Sequence, residues 1–224
     1  MKYYAIIVAG GSGSRMQSDI PKQFMLLNGK PLMMHTIEAF YHSDIQPEII
    51  LVLSNTYHDY WDELCRKYTF TTPHKLVNSG AERFYSVKNG IESISDEGII
   101  SIHDAVRPLV SNDLICKTYR EAEETGCSVA AIKSKDSIRQ KQGNTTVSLN
   151  RDEVFLVQTP QVFNSLILNR AYQQDYSPEF TDDASVVERS GIPIKLTEGE
   201  IKNIKITFPE DIQMAEYFLN SAIQ

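Results

Sequence analysis

Tyr3-Tyr4-Ala5-Ile6-Ile7-Val8-Ala9-Gly10-Gly11-Ser12-Gly13-Ser14-Arg15-Met16 stands near the start of the 224-residue chain and decides its fold. The run from Tyr3 to Ala9 is continuously apolar, as in a strand covered on both faces. It is too short for a signal-peptide core and lacks the usual flanks. The strand empties into a glycine-rich loop, so the loop lies at the carboxyl edge of the sheet, where open α/β sheets bind ligands. Consecutive glycines let backbone N–H groups approach a phosphate.

Downstream, short apolar strands alternate with helical spacing. Strands are expected at Glu48 to Leu53, Lys75 to Val77, Gly98 to Ile102, Ser128 to Ile132 and Ile192 to Leu196. Helices are expected at Pro31 to Phe40, Tyr57 to Tyr68, Arg83 to Ile94, Asn112 to Glu124, Leu166 to Tyr172, Asp182 to Ser190 and Pro209 to Leu219. This order predicts an α/β fold, a mostly parallel Rossmann-like sheet with helices on both faces. Residues 133–153 interrupt it. They are polar, with Gly143-Asn144 as a hairpin turn, and predict a mobile flap or, in preference, an arm that packs on a second subunit, projecting from a single domain that spans residues 1–224.

Composition narrows the function. The net charge of −7 disfavours sequence-blind nucleic-acid binding, which rests on phosphate neutralisation, but leaves room for a local cationic pocket. No apolar run is long enough to span a bilayer. Cys65, Cys116 and Cys127 are scattered and form no CxxC, which suggests reduced thiols in a cytoplasm.

Three segments carry candidate chemistry. The glycine loop lacks the third glycine of a dinucleotide fingerprint and the GK[ST] of a P-loop. Arg15 and Lys22 flank it, and two cations around an N–H-lined loop suit a triphosphate. A tight strand-to-helix turn with solvated cations would read the same way. The strand ending His103-Asp104-Ala105-Val106-Arg107 should face the same crevice. There Asp104 could hold Mg²⁺ or accept substrate hydroxyls, and Arg107 could fork a phosphate. His103 reads as a packed turn histidine. Gly80, Arg83 and Ser86 could face a base and ribose, or simply start a capped helix.

Taken together, Ala9 to Met16, Pro21 to Phe24, Gly80 to Gly90, His103 to Pro108, Gln158 to Gln161, Thr181 to Ser185 and Asn203 to Asp211 resemble the 2-C-methyl-D-erythritol 4-phosphate cytidylyltransferase family of isoprenoid biosynthesis. They run in family order along essentially the whole chain. The resemblance implies transfer of CMP from CTP to a small polyol phosphate, Mg²⁺ as cofactor, and a homodimer whose arms complete each other's sites. It implies that Ala9, Gly10, Gly11, Ser12, Gly13 and Ser14 cradle the triphosphate, with Arg15 and Lys22 as catalytic cations. Gly80, Arg83 and Ser86 then bind the cytidine portion. Asp104 meets the erythritol hydroxyls, and Arg107, Thr159 and Lys205 surround the erythritol phosphate. Ser137 and Arg151 reach that phosphate from the partner's arm.

Some positions depart from the family pattern. Ala81 stands where an Asp is usual, and Ser137 where the arm carries Thr. Ribitol-5-phosphate cytidylyltransferases are close relatives, but Ala105, Ile204 and the segment Asp183 to Glu188 favour the erythritol acceptor. A non-catalytic nucleotide-binding regulator would be expected to lose Arg15, Lys22 or Asp104, and all are present. A NAD-dependent oxidoreductase or a sugar-1-phosphate nucleotidyltransferase would be told apart by nucleotide preference.

Overall fold

The structure is a computed structural model that describes residues 1–10 and 20–221. In chain order the elements are β1 (Lys2–Val8), β2 (Leu26–Leu27), β3 (Lys30–Pro31), α1 (Leu32–Tyr41), β4 (Glu48–Leu53), α2 (His58–Lys67), β5 (Lys75–Asn78), α3 (Arg83–Glu92), β6 (Gly98–Asp104), α4 (Asn112–Thr125) and β7 (Cys127–Lys133). There follow β8 (Ile138–Gln142), β9 (Thr145–Leu149), β10 (Phe155–Asn164), α5 (Ser165–Ala171), α6 (Asp183–Arg189), β11 (Leu196–Glu198) and α7 (Pro209–Ser221).

Among the described residues, seven strands pair in the order β11-β7-β10-β6-β1-β4-β5. All pairs are parallel except those of β10, which runs antiparallel to both β6 and β7. Alternate residues of β1 feed opposite faces, as the pleat requires. Ala5 and Ile7 pack towards α1, α2 and α4, while Tyr4 and Ile6 pack towards α3, α5 and α6. All seven residues of β6 are buried, including His103 and Asp104 at its carboxyl end.

β10 is an element that the sequence reading left without a strand. Pro160 has no N–H for a ladder and demotes a strand reading. The chain resolves this with an irregularity: Val157 pairs with Ala131, and pairing resumes at Gln161 opposite Val129. The intervening Gln158, Thr159 and Pro160 leave the regular ladder, and Gln158 and Thr159 line a cavity at the sheet edge. A second correction concerns β11. The strand expected at Ile192 to Leu196 forms instead at Leu196–Glu198. Ile192 and Ile194 pack against the core from outside the sheet, after Gly191 turns the chain at φ +88° and Pro193 withholds a donor. Pro31 stands just before α1 as its N-cap rather than within its first turn.

Among the described residues β8 and β9 pair only with each other, closing through Gly143 at φ +58° and Asn144. Arg139 braces the ribbon by donating to the Thr146 hydroxyl (2.7 Å) and carbonyl (3.1 Å).

Candidate active site

The chain runs from β1 to β4 on one side and later returns to β6 on the other. The sheet therefore reverses its winding between β1 and β6, where Val8 lies beside Asp104. In an open α/β sheet such a switch point leaves a crevice at the carboxyl ends of the strands. A cavity of about 350 Å³ occupies it, lined by Ala9, Gly10, Lys22, Gly80, Arg83, Ser86, Asp104 and Lys205 among others. A neighbouring cavity of about 300 Å³ shares Arg83, Asp104 and Lys205 and adds Arg107, Gln158 and Thr159. The three shared side chains form the wall between the two.

Each wall is set by local structure. Lys22 begins a short 3₁₀ turn, Lys22–Phe24. Phe24 is anchored in the core against the Tyr57 and Tyr60 rings, at 5.5 and 5.1 Å between centroids. Gln23 is buried and donates to the Ala9 carbonyl at 2.9 Å. Lys22 is thus held at the cavity beside the end of β1.

Gly80 sits where the chain folds back onto α3. A Cβ there would come within 2.3 Å of Tyr85 Cβ, so no side chain fits. Its N–H donates to the Ser86 hydroxyl at 3.1 Å, which in turn donates to the Glu82 carbonyl at 3.1 Å. Ser86 is 2% exposed, and its hydroxyl closes this turn at the cavity wall. Arg83 is likewise committed. It forks onto Asp183 through two bonds of 2.7 and 2.6 Å, and Tyr172 donates its hydroxyl to the same carboxylate at 2.6 Å. Burial and the Asp183 charge push the Tyr172 hydroxyl well up, so it stays a donor. Burial by itself would lower the Arg83 guanidinium, but Asp183 more than offsets it and keeps the charge in place.

Asp104 faces three cations: Lys205 Nζ at 3.0 Å, Arg107 Nε at 3.3 Å and Arg83 at 3.9 Å. Burial would raise its carboxyl, yet Lys205, Arg83 and Arg107 together hold it far below the usual carboxylate range. Arg107 also donates to the Asn203 carbonyl at 2.9 Å, and Thr159 accepts the Asp104 N–H at 3.1 Å. Arg107 is therefore partly engaged inside the protein, with the rest of its guanidinium at the second cavity.

These surroundings do not fit a metal held by the protein. Among the described residues no three His, Cys, Asp or Glu side chains gather as a metal site, and the one carboxylate at the crossing of the cavities is already answered by cations. Direct ligation by Asp104 is thus disfavoured; acceptance of substrate hydroxyls remains chemically apt.

Most predicted residues converge here. Gly11 to Arg15 lie outside the described residues. Ser137 and Arg151 are exposed on or beside the hairpin and line neither cavity. His103 is fully buried, with its ring 4.9 Å from that of Phe40, as expected for a packed histidine. The sequence reading missed Gln23, Asp183, Tyr172 and Asn203 as organising groups. Gln23, Asp183, Gln158 and Asn203 fell inside quoted motifs, but only the fold reveals their partners.

Residues 3–221 match the family described as IspD, 2-C-methyl-D-erythritol 4-phosphate cytidylyltransferase. The 2-C-methyl-D-erythritol 4-phosphate cytidylyltransferase of Azobacteroides pseudotrichonymphae is 47% identical over 218 residues, covering 97% of this chain and 98% of the relative. That of Bacteroides fragilis is 44% identical over 215 residues, covering 96% and 98%. The solved 4-diphosphocytidyl-2C-methyl-D-erythritol synthase of Anaerococcus prevotii DSM 20548 superposes with a TM-score of 0.83 at 28% identity, covering 98% of each chain. A doubly covered sheet with paired cavities at its switch point, matched from end to end in sequence and shape, places this chain in the 2-C-methyl-D-erythritol 4-phosphate cytidylyltransferase family.

Proposed function

We propose that the protein transfers CMP from CTP to 2-C-methyl-D-erythritol 4-phosphate, giving 4-diphosphocytidyl-2-C-methyl-D-erythritol and pyrophosphate. The observation that carries this reading is the wall of Asp104, Lys205 and Arg83 shared by two cavities, the arrangement a two-substrate transfer needs. The nucleotide enters the cavity beside Ala9, Gly10 and Gly80, and the polyol phosphate enters the one beside Arg107 and Thr159.

An oxygen of the acceptor phosphate attacks the α-phosphorus of CTP. The new P–O bond forms as the α–β bridge breaks, and the electron pair leaves on pyrophosphate. The nucleophile is already an anion, so no general base is required. The barrier is the repulsion and alignment of two polyanions, which positioned cations lower. Lys22, with Arg15, stabilises charge growing on the α-phosphate and leaving group. Lys205, Arg107 and Thr159 hold the acceptor phosphate, and ionised Asp104 accepts its hydroxyls. Mg²⁺, brought by CTP as part of the substrate complex rather than held by Asp104, would offset part of the triphosphate charge. In a homodimer, Ser137 and Arg151 of the arm reach the acceptor phosphate of the other subunit, which fits their exposure and their absence from the lining of the chain's own two cavities. The expected compartment is the cytoplasm.

The test is pyrophosphate release with CTP and Mg²⁺, using 2-C-methyl-D-erythritol 4-phosphate or D-ribitol 5-phosphate at equal concentration. Preference for the erythritol phosphate is expected. Preference for the ribitol phosphate would reassign the acceptor, and release with neither would overturn the reading.

A further inference from the structure

Lys205 stands on an irregular segment that follows β11, so something other than a ladder must hold it. Its two ends are tied by the backbone, Gly199 N–H to the Ala131 carbonyl at 2.8 Å and the N–H of fully buried Ile206 to the Val106 carbonyl at 2.9 Å, and one side chain fastens the stretch between them. Gln158 donates its amide to the Glu200 carbonyl at 2.8 Å and accepts the Glu200 N–H at 3.2 Å, pairing as another strand would. Its oxygen also lies 3.4 Å from Asn203 Nδ2, which donates to the Thr159 carbonyl at 2.8 Å. Asn203 is fully buried, and its own carbonyl takes the Arg107 guanidinium. Two residues on, Lys205 meets Asp104 at 3.0 Å. Gly199 leaves room for this clamp, because a Cβ there would lie 2.5 Å from the Gln158 oxygen.

We infer that Gln158, with Asn203, is a positioning residue that sets Lys205 and Arg107 about Asp104 and so fixes where the acceptor phosphate sits. The inference rests on the reading of the second cavity as the acceptor's subsite. Gln158 touches no reacting atom in this scheme. It acts through the backbone of Glu200 and through Asn203, which is why the irregular stretch of β10 matters: it frees Gln158 from the ladder at the edge of the cavity.

Gln158→Met keeps the volume and removes both amide bonds; Gly199→Ala disturbs the same clamp from the other side. In the full-length protein, each is expected to raise the KM for 2-C-methyl-D-erythritol 4-phosphate roughly tenfold or more, the scale on which misplacement by a fraction of an ångström acts. The KM for CTP is expected to stay within about twofold, because the nucleotide groups keep their supports. A second readout is independent of activity: reductive methylation of Lys205, followed by mass spectrometry against exposed Lys117, should be faster in either variant than in the parent. Folded variants with unchanged acceptor KM and unchanged Lys205 labelling would overturn the inference, as would equal rises in both KM values. A parent protein inactive with this acceptor would instead refute the proposed function, and the labelling comparison would still decide the clamp.

Discussion

At the scale of single residues, the site gathers cations around a single carboxylate, with Lys205, Arg107 and Arg83 all within 4 Å of Asp104. Lys22 is held by the two residues that follow it, Gln23, which is tied to the end of β1, and the buried Phe24. In the proposed reaction it would meet the triphosphate with little reorganisation, which is where electrostatic catalysis gains most. Lys22→Ala is expected to lower kcat by roughly 10²-fold or more in a folded protein, the cost typical of removing one preorganised donor. Steady-state pyrophosphate release checks this, and unchanged turnover would remove Lys22 from the mechanism. The residue was legible as a candidate because it follows the glycine loop. Asp183 was not. An aspartate at a helix start reads as a cap, and here the cap is its neighbour Asp182, which accepts the Ser185 N–H at 2.9 Å. Asp183 turns inward to Arg83, a partner 100 residues away that local patterning cannot reveal.

At the scale of elements, the parallel strands and their helices were legible because apolar runs and 3.6-residue spacing are local signals. β10 was not, because its polar and proline-containing centre contradicts strand propensity and is tolerated only beside a ladder irregularity. That conflict is also what makes it useful: Gln158 clamps one loop, while Gln161 donates to Asp182 at 3.0 Å and accepts the Ala184 N–H at 2.8 Å at the start of α6. The β8–β9 ribbon has the opposite character. It is exposed, braced mainly by its own cross-strand bonds, and a lone hairpin is marginal in water. In the proposed homodimer, packing on a second subunit would give it a reason to persist. Arg151→Ala is accordingly expected to raise the KM for the acceptor phosphate by about tenfold or more, the scale of the roughly 1.5–3 kcal/mol of a charged hydrogen bond, with little change for CTP. A selective loss of CTP affinity in the same kinetic assay would contradict an arm that serves the acceptor.

At the scale of the whole molecule, the covered sheet buries charge near its carboxyl edge, and this sets the response to acid. Burial lowers His103 to about 4, with Asp104, Arg107 and Lys205 as its charged neighbours. An unfolded histidine titrates near 6.5, so between roughly 6.5 and 4 the unfolded chain binds the extra proton and stability falls as pH falls. The full shift corresponds to about 3 kcal/mol. Below the ordinary carboxylate range Asp104 adds to the loss in the same direction, since its folded value is depressed. Urea denaturation between pH 7.5 and 4.5 should show this decline, and His103→Phe should flatten it; an unchanged slope in that variant would assign the decline to other groups. By itself, the sequence determined the α/β class, the glycine loop at a strand end, the candidate residues and the family, because strand runs, turn glycines and ordered motifs are read from neighbouring residues. Only the tertiary structure decided that β10 enters the sheet antiparallel, that Arg83 is spoken for by Asp183, that Ser86 shapes a wall, and that Asp104 sits among three cations. Those outcomes depend on contacts between residues far apart in the chain, which burial makes obligatory and which no local pattern encodes.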